Sequence, residues 1–89
     1  MATVFVKLPV GMTTEDGRRD VECDAATVGE ALDSAIAVEP RLRPRIYRED
    51  GRMWAGVFLN GRNINAREGV KTQLADGDKM NVVPPISGG

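Results

Sequence analysis

Val57-Phe58-Leu59-Asn60-Gly61-Arg62-Asn63-Ile64 is the stretch on which the architecture turns. Asn60-Gly61 is among the strongest two-residue hairpin signals, because both residues tolerate the positive φ that a tight turn between twisted strands requires. Val57 and Leu59 flank Phe58, so two aliphatic side chains share one side of a strand and the aromatic faces the other. The spacing predicts a strand, a turn and a short return strand reaching Ile64.

Downstream, a polar and irregular stretch runs to Gln73. Asp76-Gly77-Asp78 reads as a turn, and Met80 and Val82 alternate with Lys79 and Asn81 in a last strand that Pro84-Pro85 terminates. Upstream, Thr27-Val28-Gly29-Glu30 matches a capping box, in which the Thr hydroxyl takes an N–H three residues on and the Glu reaches back to the cap. Val28, Ala31, Leu32, Ala35 and Ile36 then fall on one helical stripe, which Pro40 brings to an end. Arg41 to Tyr47 suits a short turn of helix, and Glu49-Asp50-Gly51-Arg52 a turn. At the N-terminus, Thr3–Leu8 and Arg18–Cys23 alternate with period two around the loop Gly11–Gly17, predicting an antiparallel pair with Val4, Val6, Leu8, Val21 and Cys23 inward. The element order is β-β-α-β-β-β. That order predicts an α+β fold, a sheet of four to five strands covered by one main helix.

At 89 residues the chain is expected to form one domain that buries about 60 to 65% of its unfolded surface, with no second lobe to shape a deep cleft. A hydrophobic fraction of 42% and a charged fraction of 28% describe an ordinary globule rather than a disordered or fibrous chain. Twelve Lys and Arg against thirteen Asp and Glu leave a net charge of −1, with no global pull toward nucleic acid or an anionic membrane. One cysteine, Cys23, and no histidine make metal-dependent and Ser-His or Cys-His nucleophilic chemistry poor expectations. No apolar run approaches the roughly 20 residues of a bilayer span and no signal peptide opens the chain, so the cytoplasm is the expected address.

The remaining segment, Pro84-Pro85-Ile86-Ser87-Gly88-Gly89, carries the chemical signal. Two prolines favour an extended course, and six residues reach about 20 Å. Glycine has no Cβ, so Gly88-Gly89 can thread a channel too narrow for other residues. The reacting group would be a carboxylate, ionised at neutral pH and a poor electrophile until it is activated, most simply as an acyl adenylate. Neither Gly-x-x-x-x-Gly-Lys-Ser/Thr nor Gly-x-Gly-x-x-Gly occurs, so a separate enzyme is expected to bind the nucleotide. Residues 1–83 are read as the domain and 84–89 as a flexible tail.

Val57 to Ile64, followed by Leu74-Ala75-Asp76-Gly77-Asp78-Lys79-Met80-Asn81-Val82-Val83-Pro84-Pro85-Ile86-Ser87-Gly88-Gly89, resembles the C-terminal half of the MoaD/ThiS sulfur carriers. The segment Pro40–Ala55 is similar to the longer molybdopterin-type and CysO-like members, whereas Ile86-Ser87 stands where Val-Ala is commoner. The resemblance implies a ubiquitin-like β-grasp fold. It also implies a carrier rather than an enzyme, whose Gly89 is adenylated by a MoeB/ThiF-type adenylyltransferase and converted to a thiocarboxylate. Gly88, Ser87 and Ile86 would thread the partner's site. ATP would be used by that partner, this chain binding no cofactor and no metal. A persulfide-bearing sulfurtransferase would supply sulfur to the carrier, and a synthase making molybdopterin, cysteine or another sulfur metabolite would accept it. A molybdopterin-type member would itself be the small subunit of such a synthase. The alternative is a ubiquitin-like modifier joined through Gly89 to lysines of other proteins.

Phe58, with Val83 and Ile86, is expected to form an apolar patch that docks the activating enzyme. Cys23 reads as a buried structural thiol. Arg41, Arg43, Arg45, Arg48 and Arg52 form a local basic run. With Glu39, Glu49 and Asp50 interleaved and few aromatics, a solvated face or a protein contact fits it better than nucleic acid. Asp76-Gly77-Asp78 reads as a turn with solvated acids rather than a cation site.

Overall fold

The computed structural model describes residues 1–84. Strand β1 (Ala2–Lys7) pairs antiparallel with β2 (Asp20–Ala25), matching Val4 to Cys23 and Val6 to Val21. Relative to the expected Thr3–Leu8 and Arg18–Cys23, the first strand starts and stops one residue earlier and the second is displaced by two. Arg18 and Arg19 belong to the connecting loop, where Arg18 N–H donates to the Thr14 hydroxyl and the Arg19 carbonyl accepts from Leu8 N–H at 2.7 Å. The inward set is unaffected by these shifts: Val4, Val6, Leu8, Val21 and Cys23 are all buried.

Helix α1 (Val28–Val38) begins at the expected cap, the Thr27 hydroxyl accepting from Glu30 N–H at 3.3 Å. The reciprocal half of the capping box differs from expectation. The Glu30 carboxylate accepts from Ala26 N–H at 2.9 Å instead of the cap residue's own N–H. Val28 N–H goes to the Thr72 carbonyl, so a distant segment satisfies one of the four donors a helix start leaves unpaired. Val28, Ala31, Leu32 and Ala35 are buried against the sheet and Ile36 packs at the margin of the core. The Ala35 carbonyl takes Glu39 N–H, and Pro40 opens a 3-10 turn (Pro40–Leu42) that runs into the short helix α2 (Arg43–Ile46). Leu42 and Ile46 are completely buried, which explains why this segment folds back on the core.

Strand β3 (Gly56–Leu59) turns through Asn60 (φ 51°) and Gly61 (φ 85°) into β4 (Arg62–Asn63). The return strand is two residues long and does not reach Ile64, which starts a 3-10 turn (Ile64–Ala66) capped by Asn63. A second 3-10 turn (Gly69–Lys71) gives the stretch expected to be irregular a defined course. Thr72, fully buried, fastens it: its hydroxyl donates to the Gly69 carbonyl at 2.7 Å and accepts Glu68 N–H at 3.1 Å. Strand β5 (Lys79–Val83) runs parallel to β1 and antiparallel to β3, completing the sheet order β2-β1-β5-β3-β4. One sheet face is covered by α1. The other carries Phe5, Lys7, Phe58, Lys79, Asn81 and Val83.

Candidate functional site

Strand β5 occupies the middle of the sheet, hydrogen-bonded on both sides, and residue 84 follows directly from it. Its start is locked by Asn60. Asn60 N–H donates to the Lys79 carbonyl (2.8 Å), Lys79 N–H donates to Asn60 Oδ1 (3.0 Å), and Asn60 Nδ2 donates to Asp78 Oδ1 (3.0 Å). Asp78 also accepts Ala75 N–H, and Asp76 accepts Thr3 N–H at 2.9 Å. These carboxylates are therefore engaged with backbone N–H groups rather than simply solvated. No group of three or more metal-ligating side chains occurs among the described residues.

At the far end of β5, Val83 stands opposite Gly56 and is 45% exposed, while Pro84 is half-buried. Phe58 shares that face and is half-buried. A Cβ placed on Gly56 would lie 3.3 Å from Phe58 Cε1 and 4.0 Å from Val83 Cβ. The ring lies over the bare strand glycine beside Val83, as aromatic side chains do where a strand residue has no side chain of its own. Phe58 and Val83 are thus brought together. Gly56, which sequence reasoning passed over, is what makes room. The available signal was a glycine two residues before an outward aromatic on one strand. Ile86, Ser87, Gly88 and Gly89 lie outside the described residues.

Lys7, Arg19 and Lys79 surround Phe5 in a shallow depression on the same open face. None of the three cations has an ion-pair partner among the described residues, whereas Asp20 nearby is paired with Arg18 at 2.9 Å. Of the arginine run, Arg41 is committed to the fold. It forks onto the buried Glu39 carboxylate (2.7 and 3.0 Å) and donates to the Thr13 carbonyl at 2.8 Å, tying the first hairpin loop to the end of α1. The side-chain hydrogen bonds from Arg41 hold the Glu39 carboxyl below its usual range.

Cys23 is a free, buried thiol whose Sγ–H donates weakly to the Val21 carbonyl at 3.8 Å. Burial pushes its pKa up, and the neighbouring Asp24 and Glu22 add to the effect. The thiolate is the reactive form, so alkylation of the native chain at pH 8 is expected to be many times slower than alkylation of the urea-unfolded chain. Equal rates measured by mass spectrometry would contradict that placement.

A mixed five-stranded sheet with its last strand at the centre and a covering helix is a ubiquitin-like β-grasp, the fold of small carrier and modifier proteins. Residues 6–89 match the ThiS family. The chain belongs to that family. A protein of Archaeoglobus fulgidus that bears a provisional sulfur-carrier name is 27% identical over 97% of this chain and 98% of its own length. Small archaeal modifier protein 1 of Haloferax volcanii is 38% identical over 81% of this chain and 79% of its own. Among solved structures, small archaeal modifier protein 1 of Methanosarcina acetivorans superimposes with a TM-score of 0.81 at 30% identity, covering 100% of this chain and 98% of that one. The BexX/CysO complex of Amycolatopsis orientalis matches with a TM-score of 0.77 at 26% identity, over 97% of this chain and 99% of that one. In that relative, a protein of this fold is held by a partner protein. No helix among the described residues is long and apolar enough to cross a membrane.

Proposed function

We propose that the chain carries sulfur on the carboxyl group of Gly89. The observation that carries this reading is the family match, which runs through residue 89 and so takes in Gly88-Gly89. A MoeB/ThiF-type adenylyltransferase supplies the nucleotide site that this chain's sequence lacks. The carboxylate oxygen attacks the α-phosphorus of ATP, pyrophosphate leaves, and the acyl adenylate is the activated electrophile. The terminal sulfur of a persulfide-bearing sulfurtransferase then attacks the carbonyl carbon and expels AMP. A second thiol of the donor cleaves the resulting acyl disulfide at its S–S bond, forming a disulfide on the donor and releasing the thiocarboxylate. The fold contributes positioning: β5, bonded along both edges, gives the segment 84–89 a rigid root.

A second reading is favoured by the identity to archaeal modifier proteins, 38% and 41% for two of Haloferax volcanii. Here the same adenylate is attacked by a lysine amine of another protein and an amide forms in place of the thiocarboxylate. Intact mass after incubation with ATP, the activating enzyme and a sulfur source decides the first reading, which requires the mass gain of one oxygen replaced by sulfur at Gly89. The segment 80–89 left on lysines of cellular proteins after tryptic cleavage at Lys79, with no such gain, decides for the second.

Phe58, Val83 and Ile86 are proposed to dock the activating enzyme. Phe58→Ala should raise the KM for adenylation by about tenfold, in line with loss of one aromatic anchor, with little change in melting temperature. Gly56→Ala should act in the same direction more weakly, because its Cβ forces the Phe58 ring to shift by a few tenths of an ångström. A folded Phe58→Ala chain adenylated as efficiently as the parent removes the patch from the proposal.

A further inference from the structure

The depression bordered by Lys7, Leu8, Val10, Val83 and Pro84 lies where β5 ends and holds about 310 Å³. Leu8 is buried there, whereas Val10, in the turn after β1, is fully exposed and Val83 is 45% exposed. Two valines beside one depression thus keep apolar surface in water.

The charge around it is of one sign. Among the described residues, neither this depression nor the adjoining one, bordered by Lys7, Val10 and Arg19, has an Asp or Glu in its lining. Lys7 and Arg19 are exposed and have no ion-pair partner among the described residues. Asp20, opposite Lys7 on β2, is paired with Arg18 at 2.9 Å. An occupant that combines one aliphatic side chain with one carboxylate suits this lining.

The chain's own continuation has both. Pro84 is itself part of the wall, and Pro85-Ile86-Ser87-Gly88-Gly89 follows it. Lys7 stands beside Asn81 in the parallel register, three residues back from Pro84, which puts the two about 11 Å apart. Five extended residues span about 16 Å, enough to cover that distance with a bend. Gly88-Gly89, lacking Cβ atoms, takes either sign of φ and permits the bend. Tethering at Pro84 sets the effective concentration of the segment on the order of 1 mM, which a separate peptide would have to match.

We propose that this depression receives the chain's own last residues, with Ile86 against Val10 and Leu8 and the Gly89 carboxylate on Lys7. This inference rests on the reading of Gly89 as the free carboxyl end and adds a resting state for it. A docked Ile86 cannot at the same time meet the activating enzyme. The enzyme therefore takes up only the fraction of chains whose tail is released, and its apparent affinity is lowered by that fraction. One exposed ion pair and one partly covered isoleucine hold the segment weakly, which keeps it releasable.

The test is nuclear magnetic resonance of the full chain without enzyme. Cross-relaxation between the Ile86 and Val10 methyl groups should be observed, and the amide order parameters of Gly88 and Gly89 should exceed about 0.6. Lys7→Gln and Val10→Ser, both at exposed positions, should bring those order parameters below that value while keeping the parent's melting temperature. In ATP–pyrophosphate exchange the same variants should lower the KM of the activating enzyme about threefold at unchanged kcat, which corresponds to about two-thirds of the parent's tails being docked. Order parameters already below about 0.6 in the parent, or unchanged in both variants, overturn the docked segment. Order parameters that rise with protein concentration from about 0.05 to 1 mM place the tail of a second copy in the depression and overturn it too. A KM that rises in both variants assigns Lys7 and Val10 to the enzyme's own contacts and overturns the resting state. A parent that docks its tail but is never adenylated overturns the carrier and modifier readings while the docked segment stands.

Discussion

Removing Gly88 and Gly89 is expected to abolish formation of the thiocarboxylate, and equally of any lysine conjugate, while leaving the melting temperature within about 2 °C of the parent. Both chemistries need the Gly89 carboxyl group, and an active-site channel shaped for two residues without Cβ atoms excludes the Ile86-Ser87 end that the deletion would expose. Stability is expected to stand apart because a complete core cluster and a five-stranded sheet are already present among the described residues 1–84. Intact-mass analysis gives the first outcome and a circular-dichroism melt the second. Residual sulfur incorporation in the deleted chain would place the chemistry elsewhere. A fall of 10 °C or more would place the last two residues in the fold.

The second large effect is structural. Leu32 is completely buried at the centre of the α1 stripe, and Leu32→Ala leaves a cavity between helix and sheet that α1, held at Thr27 and Thr72, cannot collapse to fill. Such truncations cost about 2–5 kcal/mol. For a domain near this size each kcal/mol is worth about 4–8 °C, so the melting temperature should fall by roughly 8–40 °C. Val38→Ala on the same helix, where the side chain is 61% exposed, should change stability by less than about 0.5 kcal/mol. Urea titrations of both variants check the contrast. Similar losses at the two positions would mean that α1 does not bury the face assigned to it. Below its melting temperature Leu32→Ala should still accept sulfur, since Leu32 lies in the core between α1 and the sheet rather than among the residues proposed to carry the chemistry.

What each level decides can be seen at particular residues. Asn60-Gly61 was sufficient for the hairpin because a two-residue turn is a local conformational matter, and its positive φ angles follow from the residue types alone. The same holds for the Thr27 cap and the Val28 to Ile36 stripe, whose signals lie within one or two helical turns. The segment Pro84 to Gly89 was legible as a candidate site because its chemistry resides in residue type and order rather than in the meeting of distant side chains.

Local sequence could not place Val83 beside Phe58 and Gly56, because that meeting depends on the β3–β5 register. Nor could it show that the Thr72 carbonyl receives Val28 N–H, or that Arg41 is withdrawn from its basic run by Glu39 and Thr13. Val28 and Thr72, and Arg41 and Thr13, are separated by dozens of residues, and no periodicity encodes their pairing. By itself, then, the sequence determined the elements and their inward faces, since each follows from conformational preference and alternation along a short stretch, and residue type marked Gly88-Gly89 as the proposed site. Only the tertiary structure decided which side chains meet at the exit of β5 and which charges remain unpaired, because long-range pairing is selected by the packing of the whole core.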